Sequence, residues 1–153
     1  MVNHYIICSI FAWFTAQLIK VLITYITRKK LDFTRLVGSG GMPSSHAALT
    51  CSLSTLIMIV HGFSSVEFAI AFCFTCVVIY DATGVRRETG RQARVLNKMM
   101  EEMSSKNTEV DFGKHLKELI GHSKTEVTVG CFYGVLIGVL YYFLIIKLFE
   151  VVI

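Results

Sequence analysis

Charge is the scarcest ingredient of this 153-residue chain. Only 17% of its residues are charged and 54% are hydrophobic, where a soluble domain carries about 25% and about 45–50%. That apolar content excludes a disordered chain. The few charges are also segregated. Of 26 acidic and basic side chains, 22 lie in Arg28–Arg35 and Asp81–Glu126, leaving Lys20, Glu67, Lys147 and Glu150 elsewhere. A soluble bundle spreads charge along every helix, so this pattern disfavours one. Basic residues are missing before the first apolar run and cluster after it, which argues against a signal peptide. Cys73-x-x-Cys76 has no second pair or suitable His for a zinc site. All five cysteines lie in apolar windows, where packing is the expected role. Internal repeats and low-complexity tracts are absent, and the length allows one domain, 1–153.

What the chain does have is four apolar windows: Tyr5–Ile26, Ala47–Val60, Val66–Tyr80 and Val127–Phe149. A spanning helix needs about 20 residues, with a range of about 17–25. The outer two qualify. The middle two qualify if extended through Ser44–Ser45 and Ser64–Ser65, and His61-Gly62-Phe63 then makes a tight hairpin turn. The expected fold is an all-α integral membrane helical bundle of about four spans. The connection after the first span and the long one before the fourth are rich in Lys and Arg; the hairpin turn has none. Four spans put both basic connections on one side, and the positive-inside tendency makes that side cytoplasmic. Within the long connection, Gln92, Val95, Leu96, Met99, Met100 and Met103 recur at helical spacing, with Arg87, Arg91, Arg94 and Lys98 largely opposite. This predicts an amphipathic helix, either on the membrane surface or packed on the bundle. Ser104–Gly113 reads as a loop, and Lys114–Ile120 as a short helix ended by Gly121.

Three polar clusters border the spans on the basic side. Gly38–His46 ends in Met42-Pro43-Ser44-Ser45-His46, just before the second span. Gly40 and Gly41 let backbone approach a ligand, and the helix start that follows suits phosphate. His46 adds a proton donor beside it; the plain alternative is a loop with Ser44 as N-cap. The second cluster is Gly121–Glu126, where His122 and Glu126 share a helix face. Glu126 can orient the imidazole, and Ser123 with Glu126 also spells a capping box. The third is Asp81–Arg87, where Arg86 and Arg87 either grip phosphate or anchor the interface and pair with Asp81. Lys20, a charge inside a span, is a functional candidate or a snorkelling side chain. His4, His61 and His115 read as surface or interfacial. The net charge of +4 reads as orientation plus phosphate affinity, with no call for nucleic acid.

Three blocks, Gly40–Ala47, Tyr80–Ala93 and Leu116–Gly130, resemble the divergent branch of the type 2 phosphatidic acid phosphatase and vanadium haloperoxidase superfamily. The resemblance extends over essentially the whole chain. The wider superfamily has Lys-x6-Arg-Pro, Pro-Ser-Gly-His and Ser-Arg-x5-His-x3-Asp. Here Pro43-Ser44-Ser45-His46 carries Ser45 for Gly, and His122-x3-Glu126 carries Glu for Asp. His115 and Leu116 stand where Ser-Arg would be, and Arg35 has no following Pro. Lys20, Arg35, Arg86, Arg87 and Lys117 are the cations available to hold phosphate, with Gly40, Gly41, Ser44, Ser45 and Asp81 around them.

The resemblance implies a metal-free and cofactor-free membrane phosphohydrolase acting on a lipid phosphate or pyrophosphate. His122 would be the nucleophile, Glu126 its orienting carboxylate and His46 the general acid and base. The missing Ser-Arg pair keeps a second reading open, a phospholipid-binding or translocating protein without turnover. A third is a metal-dependent variant using Asp81, Glu118 or Glu126.

Overall fold

A computed structural model describes residues 2–29, 41–106, 115, 116, 118 and 121–148. The four apolar windows form helices. α1 is His4–Arg28, α2 Ser45–His61 and α3 Val66–Thr83; α4 is Val85–Lys106 and α5 Lys124–Tyr141, which continues as a π-helical stretch, Tyr142–Lys147. The starts follow from local chemistry. Asn3, Ser44, Ser65 and Ser123 each accept a backbone N–H from the first turn, which satisfies donors that a helix start leaves open. At Ser123 the capping box with Glu126 is complete.

α2 is the centre of the bundle and packs against α5, α1 and α3. Its window carries a row of hydroxyls that face its neighbours. Thr50, Ser52, Ser54 and Thr55 are buried between helices, and three of them have partners within reach. Thr50 donates to the His46 carbonyl at 3.1 Å, Ser52 to the Leu49 carbonyl at 2.9 Å, and Ser54 meets Thr75 at 2.8 Å. On α5 the facing residues are Gly130, Gly134 and Gly138, one per turn. A Cβ on Gly134 would stand 2.5 Å from the Ala48 carbonyl oxygen, and one on Gly130 2.5 Å from that of Ser44. The two backbones therefore touch, as small residues at every fourth position permit in membrane helices.

The outside is apolar where a soluble bundle would be polar. Ile10, Phe14, Leu18 and Leu22 on α1, Ile70, Phe74 and Val77 on α3, and Phe132 and Leu136 on α5 are all exposed. Such a continuous apolar surface is a lipid-facing one. α1, α3 and α5 are long and apolar enough to cross a membrane; α2 is the shorter fourth, with 17 residues. The chain is an all-helical integral membrane protein.

Its two ends differ. At one end Tyr5 Oη meets His61 Nε2 at 2.6 Å and His4 Nδ1 meets Tyr141 Oη at 3.0 Å. These histidines have tyrosine partners that sequence reading did not assign. At the other end the starts of α2 and α5 and the end of α3 are tied by backbone bonds. Ser44 N–H donates to the Glu126 carbonyl at 2.9 Å and His122 N–H to the Ala82 carbonyl at 3.1 Å.

α4 begins one residue after α3, at the same end as these ties. Its buried face is not the predicted Leu and Met stripe. Gly90, Ala93 and Asn97 are buried, while Val95, Leu96, Met99 and Met103 are exposed. Packing of the stripe on the bundle is thus not found. The expected helix at 114–120 is corrected as well: His115, Leu116 and Glu118 are not helical. The reason is Asn97. Its Oδ1 accepts from Leu116 N–H at 2.8 Å, and its Nδ2 donates to the Leu116 carbonyl at 2.9 Å and to Glu118 Oε1 at 2.8 Å. The Asn97 side chain bonds both backbone groups of Leu116 and so ties this residue to α4. The part of the predicted 104–113 loop beyond Lys106 lies outside the described residues.

Candidate functional site

The tied end of the bundle brings His46 and His122 together. Their ring centroids are 6.5 Å apart in an edge-to-face arrangement. His46 sits in the first turn of α2 and is exposed; His122 immediately precedes the α5 cap and is 4% exposed. Between them lies a cavity of about 230 Å³ lined by His46, Val77, Val78, Asp81, Ala82, Arg86, Gly121 and His122.

His122 is fixed from both sides. Its N–H bonds to Ala82, and its Nδ1 lies 3.1 Å from Glu126 Oε2. The same Oε2 accepts the Ser123 N–H at 3.0 Å. The capping box and the His–Glu pair are therefore one structure, the alternatives of the sequence being satisfied together. A carboxylate oxygen accepts, so Nδ1 carries the proton and Nε2 presents its lone pair. Burial lowers the His122 pKa below 6.5; the Glu126 hydrogen bond opposes this, and the nearby charges of Lys20 and Arg86 reinforce it. Burial and these charges favour the neutral imidazole.

Lys20 is 3% exposed inside α1, and its Nζ donates to Ser45 Oγ at 3.1 Å. Ser45, the residue that replaces Gly in the Pro-Ser-Gly-His pattern, is thus a partner of the buried cation. Ser44 is fully buried, and its Oγ accepts the Ala47 N–H at 3.4 Å. Gly41 passes over the Lys20 stem: a Cβ there would meet Lys20 Cδ at 3.9 Å.

Gly121 explains how the arginines reach this end. Its φ is +89°, and a Cβ would stand 2.6 Å from the Arg87 nitrogen, so only glycine permits the chain to cross the α3–α4 junction so closely. Arg86 lines the cavity and its Nε donates to Asp81 Oδ2; Arg87 does not line it. Asp81 therefore engages an arginine at the cavity wall. Arg35, Gly40 and Lys117 lie outside the described residues. Among the described residues, no group of three His, Cys, Asp or Glu side chains converges as a metal site needs.

Asn97 escaped sequence reasoning, because a single buried amide in a polar stretch gives no periodic signal. It staples 116 and 118 to α4, four residues before His122. The hydrogen bond from Asn97, joined by Arg94, holds Glu118 below its usual carboxylate range.

Fold and site together define a polytopic membrane protein with a paired-histidine, cation-bordered pocket at one end. The chain matches the Divergent PAP2 family over residues 1–137 and belongs to it. It is 40% identical to the uncharacterized membrane protein YuiD of Bacillus subtilis (strain 168), across 94% of this chain and 97% of that one. No solved structure matches.

Proposed function

We propose that the chain is a phosphohydrolase acting on a lipid phosphate or pyrophosphate at the cytoplasmic face of the membrane. The observation that carries this is the buried His122, held by Glu126 and facing His46 across a cavity bordered by Arg86.

In the first step His122 Nε2 attacks phosphorus and the bond to the lipid oxygen breaks. His46 gives its proton to that oxygen. In the second step His46 takes a proton from water, the hydroxide attacks phosphorus, and the P–N bond breaks. Phosphate leaves and both histidines return to their starting forms. Arg86 and Lys20 offset charge on the phosphoryl oxygens. Arg86 comes from the α3–α4 junction, whereas the wider superfamily draws its arginine from the position that is Leu116 here. Val77 supports a lipid substrate: it lines the cavity and is also exposed on the lipid-facing side of α3. A head group entering sideways from the bilayer meets an apolar wall first. Basic connections at this end support the cytoplasmic orientation.

The missing Ser-Arg pair favours one other reading, phospholipid binding or translocation without turnover. Purified protein in detergent, offered a panel of lipid phosphates and pyrophosphates, releases phosphate, and His122→Ala abolishes release. Tight binding with no release across the panel selects the second reading.

A further inference from the structure

We infer that α4 is an in-plane membrane helix, seated on the phospholipid leaflet at the end of the bundle that carries the histidine pair. Its sides are divided from Gln92 to Met103. At 100° per residue, Gln92, Val95, Leu96, Met99, Met100 and Met103 fall within about 140° of the circumference, an arc that in the first turns holds Val85 together with the polar Glu88 and Thr89. Arg87, Arg91, Arg94 and Lys98 fall in a separate arc of about 60°. Between the two, on one flank, lie the buried Gly90, Ala93 and Asn97, and Asn97 is bonded to Leu116 and Glu118. Five apolar side chains, Val85, Val95, Leu96, Met99 and Met103, are about half exposed. Beyond its junction with α3, α4 packs extensively on none of α1, α2 and α5.

Three observations commit this stripe to lipid. First, α4 is separated from α3 by Gly84 alone, so its first turn emerges at the membrane boundary, continuous with the lipid-facing surface of a span. Second, the helix carries six basic and three acidic side chains, a net positive charge suited to the headgroup phosphates above an inserted apolar face. Third, among the described residues the buried flank of α4, Gly90, Ala93 and Asn97, lies beside the stripe and not on it. An in-plane helix then has its stripe towards the acyl chains, its basic arc towards water and the 116–118 segment beside it. A membrane-seated α4 would also set the height of Asn97, and through it the segment leading to His122. The inference does not depend on turnover and holds for either functional reading.

The test uses the full-length protein in phospholipid nanodiscs. Trp13→Phe removes the one native tryptophan, and single tryptophans replace Leu96, Met99 or Lys98, all exposed positions. Lipids brominated near the headgroup end of the acyl chains quench tryptophans buried at that depth. Expected is a severalfold loss of emission at 96 and 99, and little change at 98. Equal, weak quenching at all three positions overturns the inference, since the stripe is then in water. So does weak quenching at 96 and 99 accompanied by disulfide cross-linking of Leu96→Cys between copies, since the stripe is then covered by a second chain.

Discussion

At the scale of single residues, the account turns on His122. On the proposed function, the Nε2 lone pair of His122 is the nucleophile, so the proton that would turn the ring into an imidazolium must be absent. Because burial disfavours the imidazolium, the folded protein holds that proton less tightly than the unfolded chain. Stability contributed by His122 is therefore complete above about pH 6.5 and is lost as pH falls from there through the lowered folded value. A histidine-labelled NMR titration should find the His122 midpoint below the ordinary histidine value of 6.5. Glu126→Gln removes the interaction that opposes burial, so the midpoint should fall further. Lys20 gives a second residue-scale prediction. On the proposed function, Lys20→Met forfeits a charge-assisted contact to phosphate, worth about 1.5–3 kcal/mol. Phosphate-release kinetics should then show kcat/KM lowered by about 10- to 100-fold.

At the scale of elements, the α2–α5 contact fixes where the histidines stand. Ser44 and Glu126 are bonded through their backbones at its upper edge, and the glycines of α5 hold the rest of it in register. Gly134→Ala places a methyl group against the Ala48 backbone. Overpacking of this kind destabilises by about 1–3 kcal/mol, so thermal unfolding in detergent should shift downwards by several degrees. Asn97→Ala should leave α4 helical and raise hydrogen exchange at the Leu116 amide, its bonding partner. The sequence made these elements legible to different degrees. The four windows and the Ser123–Glu126 box are local patterns, and each was readable. The second window carries four hydroxyls that face other helices, a placement that a single-sequence hydropathy profile does not register. The Gly130-x3-Gly134-x3-Gly138 spacing was present to be read, and its partner helix was not. The Asn97 staple joins residues 19 and more apart, and no local pattern predicts it. The same staple lies where a short helix ended by Gly121 was expected.

At the scale of the whole molecule, the two ends of the bundle differ in chemistry. His46, His122, Glu126, Lys20, Ser45, Asp81 and Arg86 gather at one end, and the tyrosine–histidine pairs mark the opposite end. The distribution of Lys and Arg adds the prediction of sidedness. In a cysteine-free background, Lys98→Cys should react with an impermeant thiol reagent only from the cytoplasmic side, and Ser64→Cys only from the other. Same-side labelling would break the four-span topology. The separation of the two histidine rings matters at this scale too, because it leaves room for a phosphoryl group to be received on one side and its leaving oxygen protonated on the other.

If phosphoryl transfer passes through His122, a covalent phosphohistidine forms and can be trapped. A single turnover with lipid labelled in its phosphate, quenched under basic conditions that preserve phosphohistidine, should leave label on the peptide containing His122. That label should be lost in acid, decay as free phosphate appears, and be missing from His122→Ala. Turnover without any transient label on that peptide, or turnover that survives His122→Ala, would contradict the account.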